Sequence, residues 1–282
     1  MKFAIIRMLR ATRLLRAADR CKYWLSCAKT HARNRRFERD VPGFPTPPQR
    51  LAFDALNHAD WYSYRASGIV HAGMFARVIR EAFPAETPID VLEWGCGPGR
   101  VIRHMRELLG IRARTLTGSD YNPESIVWCR ANLPRVTFVE NGLYPPLPFP
   151  DRVFDVIYGF SVFTHLSESV QLDWAREHAR VLRPGGLLVC ATHGESYRHL
   201  LASQAECDRF EAGELVVQGI YEEGKKWFFA IHPESFVRGR LLADFSDVRR
   251  YLAPESDQIH QDIWLARKPA KYPPLVRVPL AN

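Results

Sequence analysis

The sequence predicts an α/β fold in which a largely parallel sheet is covered by helices on both faces. Short apolar strand patterns alternate with helical patterns along most of the 282 residues, which is typical of βαβ units. Residues 154–160 are apolar enough to be buried on both faces, as a central parallel strand is. At residues 89–109 an apolar run, a glycine-rich turn and a helical pattern follow one another without a gap.

The elements are predicted in order from their apolar periodicity and from the residues that stop them. Arg183-Pro-Gly-Gly186, for example, ends the predicted helix 167–182, because proline cannot continue a helix and glycine takes the turn. The predicted strands are 89–92, 113–120, 136–143, 154–160, 187–192, 245–251 and 259–266. The predicted helices of this region are 101–109, 123–132, 167–182 and 236–242.

Length and composition limit the class of protein. The chain suits one α/β domain of about 200 residues with additions at its ends. No stretch approaches the roughly 18 apolar residues that span a bilayer. The six cysteines are scattered and form no C-x-x-C, so we expect neither disulfides nor a metal site. A reducing, cytoplasmic compartment is the expected location.

Positive charge is concentrated at the amino end. Residues 1–40 hold 12 Lys or Arg and 3 Asp or Glu, whereas the other residues hold 27 and 28. The neutral body argues against a nucleic-acid partner, which would require a basic face. Residues 1–40 are interpreted as a basic helical arm that is solvated or frayed, that contacts a membrane surface or an acidic partner, or that serves as a mitochondrial transit segment.

Two further segments precede the first strand. Residues 41–50 contain four prolines, which predicts an extended linker that separates the arm from the body. Residues 51–85 carry two helical patterns, interpreted as a helical cap over the cleft. Aromatic residues of this cap are either core residues or ligand contacts.

The glycine-rich turn is the first candidate for a ligand site. Gly95, Gly97 and Gly99 follow Glu93 in a G-x-G-x-G pattern, which differs from the G-x-G-x-x-G of dinucleotide sites. Glycines allow a sharp turn and the close approach of a ligand, although a tight βα connection would have the same composition. Asp120 ends the second strand, where a carboxylate can accept ribose hydroxyls or cap the next helix.

With Glu93 before it, the turn resembles motif I of the class I S-adenosylmethionine-dependent methyltransferases. The run Pro145–Leu166 resembles the methyltransferase type 11 and the bacterial polysaccharide- and sugar-modifying group. The resemblance extends over about residues 45–269. It implies a Rossmann-like sheet of seven strands with an antiparallel last strand, and S-adenosyl-L-methionine as the cofactor. It also implies a methyltransferase domain at 86–269. Residues 195–232 after strand five break the regular rhythm of the sequence, and they are interpreted as a substrate insertion or as a variable surface excursion. Residues 270–282 are expected to form a C-terminal tail.

The resemblance further implies which residues bind the cofactor. The turn would lie against the amino-acid half, and Glu93 would face its amine. Asn141 stands where the family often has an acid that meets the adenine, and an amide can also bond adenine. The complete predicted set is Glu93, Gly95, Cys96, Gly97, Gly99, Asp120, Tyr121, Asn141, Gly142 and Phe160.

The expected activity is O-methylation of a saccharide or other polar small molecule. A hydroxyl acceptor must lose its proton, for which an imidazole is suited near neutral pH. His165 and His193 follow strands that should end at the cleft, so each is a candidate base or a structural histidine. The acceptor pocket would lie between the Tyr62–Gly68 helix, the Phe163–His165 turn and the insertion. The alternatives are N- or C-methylation of a natural product, lipid or protein, and a non-catalytic cofactor-binding module.

Overall fold

A computed structural model of the chain describes residues 15–218 and 222–270, and a seven-stranded sheet forms its centre. The strands are β1 Ile89–Trp94, β2 Ala113–Asp120, β3 Thr137–Glu140, β4 Phe154–Gly159, β5 Leu182–Thr192, β6 Val216–Gln218, β7 Phe229–Ile231, β8 Ser246–Tyr251 and β9 Asp262–Arg267. The sheet order is β3-β2-β1-β4-β5-β9-β8. The first five strands pair in parallel and β9 is antiparallel to both neighbours, which confirms the predicted fold class.

Helices cover both faces of this sheet. They are α1 Leu15–Asp40, α2 Gln49–Leu56, α3 Trp61–Ala82, α4 Met105–Leu109, α5 Pro123–Asn132, α6 Glu168–Val181, α7 Gln204–Glu211 and the short α8 Glu234–Phe236, which continues as a π-helical turn at Val237–Leu241. Successive strand residues point to opposite faces. Val91 therefore packs with α3, α4 and α5, whereas Leu92 packs with α6 on the other side. No helix among the described residues has both the length and the apolar composition needed to cross a membrane.

Strand β5 begins five residues earlier than predicted. Leu182 pairs with Phe154 of β4, and regular pairing resumes between Leu187 and Val156. The Arg-Pro-Gly-Gly segment therefore forms an irregularity within the strand, where we expected a turn before it. The pairing partners at both ends keep the segment extended, and Gly185 supplies the positive φ of 78° that the irregularity contains.

The described part of the arm is docked on the body, contrary to the separation that we expected from the proline linker. Asn34 of α1 donates to the Ala59 carbonyl at 2.7 Å and accepts from the Trp61 amide at 3.0 Å. Phe37 is fully buried nearby. Only a few side chains of α1 make these contacts. The apolar periodicity of residues 1–40 therefore did not predict that the helix packs on the body. Residues 1–14, with Arg7, Arg10 and Arg13, lie outside the described residues, as do 271–282.

The insertion contains regular structure that its sequence did not indicate. Strands β6 and β7 form an antiparallel pair, and α7 precedes them. These strands have three residues each, which is too short for a clear alternating pattern. Residues 219–221 of the insertion, which include Tyr221, lie outside the described residues.

A network of charged side chains joins four strands at the edge of the sheet where β1 begins. Asp90 of β1 accepts from Arg114 and Thr115 of β2 and from Arg183 of β5. Arg183 also donates to Asp155 of β4 at 2.7 Å. Hydrogen bonds from Arg114, above all, lower the pKa of Asp90 to about 2. Ionised Asp90 therefore stabilises the folded chain, and this contribution is lost as the pH falls from its ordinary value towards 2.

We expect Asp90→Asn to lower the free energy of unfolding by about 1–3 kcal/mol at pH 7, because Arg114 and Arg183 lose a buried charge partner. The loss should shrink between about pH 4 and pH 2, where the wild-type carboxylate becomes protonated. Urea unfolding at several pH values measures both effects. Asp173→Asn is the control, because Asp173 pairs only at the surface with Arg176 and should change stability by less than about 0.5 kcal/mol. Equal losses in the two variants would contradict the network's role.

Candidate functional site

A cavity lies at the edge of the sheet where the carboxyl ends of β1 to β4 meet. Ligands of open parallel sheets bind at this edge. Ten of the predicted site residues line it: Glu93, Gly95, Cys96, Gly97, Asp120, Tyr121, Asn141, Gly142, Phe160 and His165. Two predicted residues do not line it, Gly99 and His193.

The three glycines of the turn have different surroundings. Gly97 has a φ of 50°, and a Cβ built on it would meet nothing within 4 Å, so its backbone faces open space in the cavity. A Cβ on Gly95 would lie 2.4 Å from Val162, and a Cβ on Gly99 would lie 2.5 Å from Leu133. Gly97 thus leaves room for a ligand, whereas Gly99 permits close packing against the end of α5.

Asp120 joins the turn to the end of β2. Its Oδ2 accepts from the Gly97 amide at 2.7 Å, and its Oδ1 accepts from the Asn122 amide at 2.8 Å. Burial raises the pKa of Asp120, and the backbone donors oppose that rise. Each carboxylate oxygen can accept a second hydrogen bond. Asp120 can therefore hold the turn and a pair of ligand hydroxyls at the same time.

Glu93 is a buried acid with one polar side-chain contact that sequence reasoning missed. Tyr158 of β4 donates to its Oε2 at 3.1 Å. Burial raises the pKa of Glu93 to about 8, so the carboxyl group of the free protein is mostly protonated at neutral pH. A cationic amine placed beside it would favour the ionised form. This environment fits the predicted contact with the amine of the cofactor.

Asn141 offers an acceptor that lacks a partner. Its Nδ2 donates to the Gly142 carbonyl at 2.6 Å, while its Oδ1 is buried with no hydrogen bond to any described residue. Buried acceptors are normally paired. An amino group of a bound adenine would satisfy this oxygen, so the amide fits the position that the family usually gives to an acid.

The walls of the cavity differ in part from those that we expected. Leu51, Asp54 and Ala55 of α2 line it, whereas the Tyr62–Gly68 part of α3 does not. Tyr64 is fully buried and donates to the Pro98 carbonyl at 2.8 Å, so α3 supports the glycine turn from behind. Sequence reasoning placed α3 at the ligand because its aromatic residues were the visible feature of the cap.

The insertion reaches the cavity through Gly224. The Gly224 amide donates to the His165 carbonyl at 2.8 Å, and Tyr121 donates to the Gly224 carbonyl, also at 2.8 Å. A segment far along the chain is thereby fastened to the exits of both β2 and β4. Tyr121 acts as an anchor for this segment in addition to lining the cavity.

Arg100 is a cavity residue that sequence reasoning missed. It is 9% exposed and lies 3.1 Å from Nδ1 of His71 on α3, measured from its Nη1. Burial lowers the pKa of Arg100, and the ionised forms of Tyr64 and Glu93 would oppose that shift. The sequence signal that could have identified Arg100 is its position directly after the third glycine of the turn.

His165 ends a short 3-10 turn, Phe163–His165, that follows β4. Its Nδ1 lies 2.8 Å from the Phe228 carbonyl, which can only accept, so Nδ1 carries the proton and Nε2 keeps a lone pair. Burial lowers the pKa of His165 below its ordinary value. A neutral imidazole with a lone pair at the edge of the cavity has the properties of a general base.

His193 has a different environment, because both of its ring nitrogens are occupied. Nδ1 lies 3.2 Å from the Ala230 carbonyl and Nε2 lies 3.1 Å from Nε2 of Gln261. The ring is stacked between Tyr197 and Phe229 and is 4% exposed. Burial lowers the pKa of His193 to about 3. The geometry therefore does not support direct proton transfer from an acceptor to His193.

Within the described ranges, no group of three or more His, Cys, Asp or Glu side chains is arranged to hold a metal ion. Cys96 lines the cavity, and burial raises the pKa of its thiol well above the usual range. A protonated thiol is a poor nucleophile. The groups available for chemistry in the cavity are therefore the carboxyls, Arg100 and His165.

Comparison with known proteins identifies the domain. Residues 91–186 match the family model described as a methyltransferase domain. A probable S-adenosylmethionine-dependent methyltransferase of Mycolicibacterium smegmatis is 39% identical over 103 residues, which cover 36% of this chain and 37% of that protein. One from Mycobacterium tuberculosis is 37% identical over 115 residues, 41% of this chain and 39% of that protein. The match thus spans about two fifths of the length of these curated relatives.

Solved structures show the same fold. The 1,6-didemethyltoxoflavin-N1-methyltransferase of Burkholderia thailandensis, with S-adenosylhomocysteine bound, superposes with a TM-score of 0.51 at 17% identity. The superposition covers 78% of this chain and 85% of that one. Residues 91–186 therefore form a methyltransferase domain, and their similarity to S-adenosylmethionine-dependent methyltransferases supports S-adenosyl-L-methionine as its cofactor.

Proposed function

We propose that the chain transfers a methyl group from S-adenosylmethionine to a hydroxyl of a sugar-like or other polar small molecule. The observation that carries the proposal is the meeting of four groups in one cavity, each suited to a different part of the cofactor. Glu93 suits the amine of the cofactor, and Gly97 leaves open space beside its backbone for the amino-acid half. Asp120 suits the ribose hydroxyls, and the unpaired Asn141 oxygen suits the adenine.

Bound there, the cofactor would supply a methyl group on a cationic sulfur, from which the acceptor oxygen would take it by forming a C–O bond as the C–S bond breaks and leaves its electron pair on sulfur. The chain contributes position and proton handling. Holding the acceptor in line can lower the barrier by about 7–11 kcal/mol. His165 Nε2 takes the hydroxyl proton, and the hydrogen bond from His165 to Phe228 fixes the tautomer that makes this possible.

Two observations support a polar acceptor. The cavity wall beyond Phe160 mixes Ser161, His165 and Trp174, which can bond hydroxyls and pack on the apolar face of a sugar ring. The Pro145–Leu166 run resembles sugar-modifying enzymes. N-methylation is the second candidate, because the ajmaline N-methyltransferase of Rauvolfia serpentina is 24% identical over 186 residues, which cover 61% of each chain. A neutral amine acceptor would not require His165 as a base before methyl transfer.

We expect Gly97→Ala to weaken the binding of S-adenosylhomocysteine at least tenfold, because the new methyl group enters the space that faces the ligand. Gly110→Ala is the matched control. Gly110 also has a positive φ, 59°, and open space around a built Cβ, but it does not line the cavity. Both substitutions should lower stability by about 1 kcal/mol through backbone strain. Calorimetric titration that finds equal affinities for the two variants would exclude this role of Gly97.

Cofactor binding should release a proton at Glu93. The pKa of about 8 in the free protein falls when an amine cation lies beside the carboxylate, so binding at pH 7 converts the acid to its ionised form. Affinity should therefore rise as the pH increases towards 8 and level off above it. Titration in two buffers of different ionisation enthalpy measures the proton release, which Glu93→Gln should abolish. A proton release that persists in this variant would assign it to another group.

His165→Gln should lower turnover by roughly 10²–10⁴-fold while changing S-adenosylhomocysteine affinity little. The lowered pKa places the rise of kcat/KM below about pH 6.5, with a plateau above it. Radiolabelled cofactor incubated with methyl glycosides, catechol and alkylamines tests both the acceptor class and the variant. Label on the amines alone would favour N-methylation, and a wild-type chain that binds cofactor without any turnover would favour a non-catalytic module.

A further inference from the structure

Ser161 lies in an unusual backbone conformation at the cavity. It follows Phe160 at the exit of β4, lines the cavity, and has a φ of 63°. A residue other than glycine in this left-handed region is strained and persists only where its surroundings hold it. Hydrogen bonds to Gln261 and Thr164 hold Ser161 in this conformation.

The deduction begins at His193. Its Nδ1 faces the Ala230 carbonyl, which only accepts, so Nδ1 carries the proton. The ring is buried and its lowered pKa keeps it neutral, so Nε2 is an acceptor. Nε2 can then face only the NH2 group of Gln261, which lies 3.1 Å away. This fixes the orientation of the Gln261 amide.

The second proton of the Gln261 amide points to Ser161. Gln261 Nε2 lies 2.8 Å from Ser161 Oγ and donates to it. Gln261 Oε1 is buried without a partner among the described residues, which is the cost of turning both amide protons towards Ser161 and His193.

Thr164 determines the remaining direction. Its hydroxyl donates to the Ser161 carbonyl at 2.8 Å, so its only proton is used. Thr164 Oγ1 also lies 3.1 Å from Ser161 Oγ and must therefore accept the Ser161 proton. Ser161 Oγ thus donates one hydrogen bond, accepts one, and keeps a single lone pair. It has no proton left to offer to a ligand.

We propose that Ser161 binds the methyl acceptor by accepting a hydrogen bond from a hydroxyl next to the one that is methylated. The inference rests on the proposed function. Ser161 lies two residues before the 3-10 turn that His165 ends, and both residues line the cavity. The reacting hydroxyl gives its proton to His165, and Ser161 Oγ accepts a hydrogen bond from the neighbouring hydroxyl. The substrate class is therefore a diol, as in a sugar or a catechol. Gln261, His193 and Thr164 are positioning residues that keep Ser161 an acceptor.

Ser161→Gly tests the contact without relying on a damaged fold. Glycine removes the hydroxyl but adopts the positive φ without strain, which offsets part of the stability lost with the hydrogen bonds to Gln261 and Thr164, so the variant should remain folded. For the panel compound that the wild type methylates, kcat/KM should fall about tenfold, the effect of losing one buried hydrogen bond. The S-adenosylhomocysteine Kd should stay within about twofold. The control is Arg152→Gly, because Arg152 has a φ of 59° just before the other end of β4 and should leave kcat/KM unchanged.

Replacing the neighbouring hydroxyl of that compound by fluorine tests the proton itself, because fluorine keeps the size and removes the donor. In the wild type kcat/KM should fall about tenfold, and in Ser161→Gly the same replacement should have no further effect. A fall of less than twofold in Ser161→Gly, or equal sensitivity to fluorine in both proteins, would overturn the contact. A wild-type chain that methylates only compounds with a lone hydroxyl or an amine, or that binds S-adenosylhomocysteine and methylates no panel compound, would overturn the diol assignment.

The positioning role has a readout that needs no acceptor. Nitrogen NMR of the full chain should find His193 protonated on Nδ1 alone, and Gln261→Glu should add a proton on Nε2, because a carboxylate only accepts while the Ala230 carbonyl still requires the proton on Nδ1. The same variant should raise KM for the diol more than it lowers kcat. A wild-type His193 protonated on Nε2 would overturn the deduced directions. Failure of the methyltransferase proposal is distinguishable, since the wild type would then bind no S-adenosylhomocysteine.

Discussion

The organisation of the cleft depends on the attachment of the glycine turn to the end of β2. The amides of Gly95 and Cys96 donate to the Ser119 carbonyl at 2.8 and 2.9 Å, and the Gly97 amide donates to the Asp120 carboxylate. These three hydrogen bonds hold the sharp turn after β1 against the end of β2. Because the turn is held from β2, its open side faces the cavity, and Asp120 is placed beside it.

Segments distant in the sequence complete the site around this turn. Helix α3 supports it from behind through Tyr64, and Arg100 follows it into the cavity. Helix α2 supplies one wall, and Gly224 of the insertion closes over the exits of β2 and β4. The basic arm, through α1, is part of the same assembly, because Lys226 beside Gly224 pairs with Asp19 at 2.9 Å. Helix α2 and the insertion thus line the cavity, and α1 contacts the insertion next to it.

His165 and His193 illustrate how environment separates two residues that look equivalent in sequence. Each follows a strand that ends at the cleft, and burial lowers the pKa of each. Only His165 keeps a ring nitrogen for a ligand. His193 uses both nitrogens within the protein, and its influence on the cavity passes through Gln261 to Ser161. A buried histidine can therefore affect recognition by fixing the direction of hydrogen bonds without exchanging a proton.

The sequence by itself determined the sheet, the glycine turn and the order of the acidic groups, because these follow from local patterns: apolar runs, glycines at fixed spacing and acids at strand ends. Parallel pairing then brings Glu93, Asp120 and Asn141 to one edge. Tertiary structure alone decided that Gly99 packs against Leu133, that α2 and not α3 lines the cavity, and that Ser161 is restricted to accepting a hydrogen bond. These properties depend on partners between 3 and about 100 residues away, and no local pattern encodes which donor will meet which acceptor.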